Sequence, residues 1–151
     1  MQVIEDRLLL RTRHPEKIVN KIPQSSVVDI RDDIYTICVD WNLPTAQKLA
    51  RLKMKGVPSP IMRNYAWAGV SPPMEHQKTT AEFLTLNPRA FCFNEQGTGK
   101  TAAAIWASDY LLSEKHVTRV LIVCPLSIMQ SAWQADLFKF AVHRKVGIAY
   151  G

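Results

Sequence analysis

Apolar residues open the chain in short runs. Arg7–Arg11 reads "RLLLR" and predicts a strand. His14–Ile22, "HPEKIVNKI", spaces its apolar positions for a short helix, with Pro15 in the first turn and Pro23 as its stop. Ser26–Ile30 and Ile34–Trp41 are rich in β-branched residues and flank "RDD", a tight-turn sequence, so the two predict a hairpin. Pro44–Gly56 predicts a helix with Ala46, Leu49 and Leu52 on one face, ended by Gly56. Residues 1–56 are thus expected to form a small α+β accessory domain. Nothing in it looks catalytic, and a unit of this size buries little surface, so it should lean on a neighbour.

Residues 57–73 read as a packed linker. Gly56, Pro58, Pro60, Gly69, Pro72 and Pro73 interrupt any helix there, and Tyr65 and Trp67 predict that the segment packs down. From Met74 the pattern changes to alternating helices and strands. Met74–Asn87 predicts a helix with Thr80, Ala81, Phe83 and Leu84 turned inward. Ala90–Asn94 predicts a short strand, Gly99–Glu114 an alanine-rich helix, and Arg119–Pro125 a strand apolar on both faces. Ser127–Ala141 predicts another helix, burying Ile128, Trp133, Leu137 and Phe140, and Lys145–Gly151 begins a third strand. Strand, helix, strand, helix, strand implies right-handed crossovers and a parallel sheet over 74–151.

Composition changes this picture little. The 151 residues are 47% apolar and 21% charged, which suits a globular protein. No apolar run approaches the roughly 18 residues that span a membrane, so no membrane partner is expected. The N-terminus, with acids ahead of its apolar run, makes a poor signal peptide. Cys38, Cys92 and Cys124 lie in apolar runs without CxxC spacing and predict reduced core residues in a cytoplasmic protein. The four histidines form no metal-ligand motif. A formal net charge of +6 favours polyanion partners through its long-range field.

One stretch carries chemistry. "FNEQGTGKT", Phe93–Thr101, stands between a predicted strand and a predicted helix. Gly97 and Gly99 let the backbone approach a phosphate closely, and the amides from Gly97 through Thr98, Gly99, Lys100 and Thr101 to Ala102 can form an anion nest at a helix start. Lys100 would reach the β and γ phosphates of a nucleotide and Thr101 would offer its hydroxyl to magnesium. Lys100 and Thr101 are therefore the candidate catalytic residues, with ATP and Mg2+ the expected cofactors. Asn94 stands where the usual pattern has glycine. Glu95 reads as a solvated loop carboxylate.

Taken together, "EHQ…FCFNEQGTGKT…LIVCPLSIMQSAW" resembles the first motor domain of superfamily 2 helicases, and among them the Swi/Snf-related translocases of bacteriophage and prophage type. The resemblance spans Ser71–Gly151. It implies a partial RecA-like parallel sheet with flanking helices, a phosphate-loop NTPase. It implies that Gln77 reads the adenine edge of ATP, and that Pro125, Leu126 and Ser127 contact the phosphates of one DNA strand. It further implies a DNA-dependent ATPase or translocase acting on double-stranded DNA. The chain has no Asp-Glu strand end after residue 101 and no second motor lobe. The expectation is an ATP-binding fragment, inactive alone and completed by further motor lobes or by a partner. The alternative is a non-catalytic DNA- or protein-binding module. A small nucleotide kinase fits less well, for want of acceptor-site and lid elements.

Overall fold

The computed structural model describes residues 1–149. Four antiparallel strands form its sheet: β1 Gln2–Ile4, β2 Arg7–Thr12, β3 Ser26–Arg31 and β4 Ile34–Asp40, in spatial order β1-β2-β4-β3. The alternation seen in the sequence sets its faces. Leu8 and Leu10 of β2 stand opposite Val39 and Ile37 of β4, and all four are fully buried. Asp32 and Asp33, both at positive φ, close the β3–β4 hairpin as a two-residue turn, and Val28 bulges from β3. Strand β1 was not expected. Its turn at Glu5 also uses a positive φ.

Helix α1, Glu16–Val19, and helix α2, Leu43–Arg51, cover one face of the sheet. Asn42 caps α2, its Oδ1 accepting from the Thr45 amide at 2.9 Å, with Pro44 in the first turn. Ile18, Ile22, Ala46 and Leu49 complete the core beneath β2 and β4. The Trp41 indole donates to the Pro58 carbonyl at 2.9 Å, fastening the following segment to this core.

A second core lies around helix α4, Glu75–Leu86, and helix α5, Lys100–Ser113. Ala81, Ala103 and Ala107 let the two helices approach, and Ile61 of the short α3, Ile61–Asn64, packs with them. The two cores share elements: α2 sends Leu43 into the second, and α4 sends Leu86 into the first. The aromatics of the proline-rich segment pack against this second core. Trp67 and Tyr65 meet edge to face at 5.4 Å, and Trp67 meets the buried Trp106 at 5.9 Å. The Trp106 indole donates to the Ala68 carbonyl at 2.6 Å. Gly69, at φ +140°, presses against Phe140, whose Cδ1 would lie 2.8 Å from an added Cβ.

The expected helix over Ser127–Ala141 is broken into α6, Leu126–Ile128, a π-helical turn, Met129–Gln134, and α7, Ala135–Phe140. Ile128 remains exposed, while Trp133, Leu137 and Phe140 are half-buried. On α4, Thr80 and Ala81 are buried as expected, whereas Phe83 is exposed.

The parallel sheet expected over 74–151 is corrected by the structure. The molecule is an α/β fold whose sheet is antiparallel and confined to residues 2–40, not a RecA-like one. Ala90–Asn94, Arg119–Cys124 and Lys145–Ala149 join no ladder among the described residues. Tyr150 and Gly151, the end of the third expected strand, lie outside the described residues. The physical reason is coverage. Parallel strands pair when both faces of the sheet are buried. Here Phe91, Phe93, Leu121 and Val123 are 82 to 88% exposed, and Phe91 and Phe93 stack on each other at 5.8 Å rather than under a covering element.

Candidate functional site

The glycine-rich stretch forms a turn at the mouth of α5. Gly97 and Gly99 both take left-handed backbone, at φ +80° and +74°. Gly99 is the N-cap of α5 and supplies no side-chain cap, so the first amides of this 14-residue helix keep no intrahelical or capping partner. An added Cβ at Gly99 would lie 2.1 Å from the Gln77 amide nitrogen, so only glycine fits this contact without displacement.

Two residues at the start of α4 brace the turn. His76 Nε2 lies 3.1 Å from the Thr98 carbonyl, and Gln77 Nε2 donates to the same oxygen at 3.5 Å. Gln77 Oε1 in turn accepts from the Met74 amide at 3.0 Å, which ties the helix start to the turn. Inside the loop, the Thr98 hydroxyl donates to the Glu95 carbonyl at 2.8 Å. The Lys100 ammonium donates to the carbonyls of Asn94 at 3.0 Å and Glu95 at 2.8 Å. Asn94 donates through Nδ2 to the Thr80 hydroxyl at 2.8 Å, anchoring the loop's upstream end.

Beside the turn is an open hollow of about 380 Å³. It is lined by Gln77, Gly97, Gly99, Lys100, Thr101 and Ala102 together with Asp136 and Phe140. Asp136 already pairs with Lys139 at 3.2 Å. Most residues expected around a phosphate are thus brought together, although Thr98 points its hydroxyl into its own loop. Pro125, Leu126 and Ser127 lie at the exposed start of α6. The Ser127 carbonyl accepts from the Ser131 hydroxyl at 2.9 Å.

A second cluster escaped the sequence reading. Asp109, 2% exposed, sits on the inner face of α5. It accepts from the Tyr65 hydroxyl at 2.6 Å, from Arg144 Nε at 2.5 Å and lies 2.8 Å from His143 Nε2. Arg144 also reaches the Asp109 carbonyl at 3.1 Å and the Ser113 hydroxyl at 2.5 Å. Burial alone would raise the Asp109 carboxyl, but the hydrogen bonds from Tyr65, Arg144 and His143, with the Arg144 charge, hold it below the ordinary carboxylate range. Burial first, then the bond to Asp109, pushes the Tyr65 phenol far above its ordinary value. One signal was legible: Asp109 is a lone acid within an apolar helix, "AAAIWASDYLL". Its partners come from distant positions and had no sequence signature. Every polar atom of the carboxylate is engaged, so the cluster reads as a structural clamp joining the linker, α5 and the segment after α7.

Comparison with known proteins finds no matching family model, no matching curated protein and no matching solved structure. The resemblance to Swi/Snf-related helicases is therefore corrected, and with it the translocase and ATPase reading and the description of the loop as a Walker A motif. ATP and Mg2+ fall with them, for two physical reasons. No parallel sheet sets the loop behind a buried strand. No group of three or more His, Cys, Asp or Glu side chains among the described residues could hold a metal ion. No helix among them is long and apolar enough to cross a membrane.

Proposed function

We propose that this chain is a non-catalytic module that binds the phosphate backbone of double-stranded DNA. The observation that carries the reading is the paired left-handed glycines, Gly97 and Gly99, which turn the uncapped start of α5 toward an open hollow lined by Lys100. Free amides at a helix start attract an anion through directed N–H groups and through the helix dipole. A DNA phosphate needs only such a cradle and one cation. It needs no metal and no activated water, because binding positions the protein and breaks no bond. In this reading Lys100 exchanges the Asn94 and Glu95 carbonyls for a phosphate oxygen, a stronger charge-assisted partner. Thr101 and Ala102 contribute backbone amides of the first helical turn. Pro125, Leu126 and Ser127, exposed at the start of α6, supply a second phosphate contact. The net charge of +6 adds the long-range attraction.

The test is binding of a fluorescein-labelled random duplex, followed by anisotropy over a range of salt concentrations. Lys100→Ala should weaken binding uniformly across duplex sequences and reduce the salt slope by about one. Affinity and slope both unchanged in the variant would overturn the reading.

A further inference from the structure

A second opening lies away from the glycine turn. It is a cavity of about 980 Å³, floored by Ala104, Ile105 and Leu112 of α5 and walled by the runs Arg119–Cys124 and Lys145–Ala149. Among the described residues, neither run takes part in a backbone–backbone hydrogen bond. Over Leu121–Cys124 the side chains alternate as in a sheet: Ile122 and Cys124 are half-buried, while Leu121 and Val123 are 85% and 88% exposed. The segment thus carries an apolar, strand-like side-chain pattern over Leu121–Cys124, and its amides and carbonyls lack backbone partners among the described residues.

From this we infer that the edge of Arg119–Cys124 accepts an added β-strand from another protein, an apolar extended segment flanked by acidic residues. An extended occupant is required because only a strand satisfies a row of backbone donors and acceptors while placing alternate apolar side chains in the cavity. Its charge follows from the rim. Arg119 and Lys145 both line the opening, and neither has an ion-pair partner among the described residues. The carboxylate of Asp109, which also borders the cavity, is already held by Arg144, His143 and Tyr65.

The test uses short fluorescein-labelled peptides of alternating valine and threonine. One carries two aspartates at an end, a second carries two lysines there, and a third keeps the aspartates but has prolines in the strand. Binding is read by anisotropy on the intact chain, together with hydrogen exchange at the Val120–Cys124 amides. The aspartate peptide should bind and slow exchange at those amides. The lysine and proline peptides should each bind at least about tenfold more weakly, since one loses the charge pairing and the other the ladder. The double variant Arg119→Glu, Lys145→Glu, on an exposed rim, should reverse the preference between the aspartate and lysine peptides. Equal binding of the proline peptide would reduce the effect to bulk charge and overturn the inference. Protection of the same amides by self-association alone, seen in sedimentation without peptide, would overturn it in favour of a second copy.

Discussion

Single residues decide how the glycine turn is held. Gly99 meets two demands at once: a φ of +74° and the contact with Gln77. Gly99→Ala should therefore destabilise the protein by about 2 kcal/mol, through left-handed strain and displacement of Gln77. Denaturant unfolding checks this, and Gly97→Ala is the useful comparison, because no atom lies within 4 Å of a Cβ there. The second substitution should cost only the conformational part. Asp109 is the other decisive residue. Asp109→Asn leaves Arg144 with a neutral partner inside the clamp and should cost about 3 kcal/mol. Tyr65→Phe removes one hydrogen bond from the same carboxylate and should cost about 1 kcal/mol. A loss from Tyr65→Phe as large as that from Asp109→Asn would mean that packing of the phenol ring, rather than the ion cluster, holds this region.

At the scale of elements, the β3–β4 hairpin shows how local chemistry sets register. Asp32 and Asp33 both occupy positive φ, a geometry that Asn-Gly adopts with less strain. Replacing the pair by Asn-Gly should stabilise the protein by about 1 kcal/mol without altering the pairing of Arg31 with Ile34. A rise in thermal midpoint with unchanged far-ultraviolet circular dichroism is the expected result. The hairpin and helices α4 and α5 were legible because short-range signals specify them, β-branched runs in the one case and Gly99 ahead of an alanine-rich run in the other; helix α2 was legible in place, though it ends at Arg51 rather than at Gly56. The strands expected near Phe91 and Leu121 do not form: both runs are apolar, but neither joins a ladder among the described residues. Their assembly into a parallel sheet was not legible, because pairing depends on cover for the second face, and local pattern cannot report what packs there. The π-helical turn at Met129–Gln134 lay beyond periodicity for a similar reason: a one-residue shift in hydrogen bonding scarcely changes an apolar pattern.

The whole molecule joins a well-covered antiparallel half to a half with one open apolar layer. Its behaviour in acid should reflect the clamp between Tyr65, Asp109, His143 and Arg144. The folded Asp109 carboxyl lies below its ordinary value. Its contribution to stability is therefore fully present above the unfolded carboxylate range, about pH 4, and is lost as pH falls through the folded value. Thermal midpoints measured across that window should drop more steeply for the native chain than for Asp109→Asn. The glycine turn itself was legible from its residues, and the structure gathers Gln77, Gly97, Gly99, Lys100, Thr101 and Ala102 around one hollow. The absence of a covered sheet behind it was not legible, since glycines ahead of a helix specify the turn without reporting what stands upstream of it.

The most direct test of phosphate-backbone binding is a titration of the isotopically labelled chain with a short random duplex, followed residue by residue through amide shifts in nuclear magnetic resonance. The account predicts saturable shifts concentrated at Gly97–Ala102 and Ser127, shrinking as salt rises. Shifts confined to other surfaces, or none at Gly97–Ala102 while the duplex is bound, would contradict it.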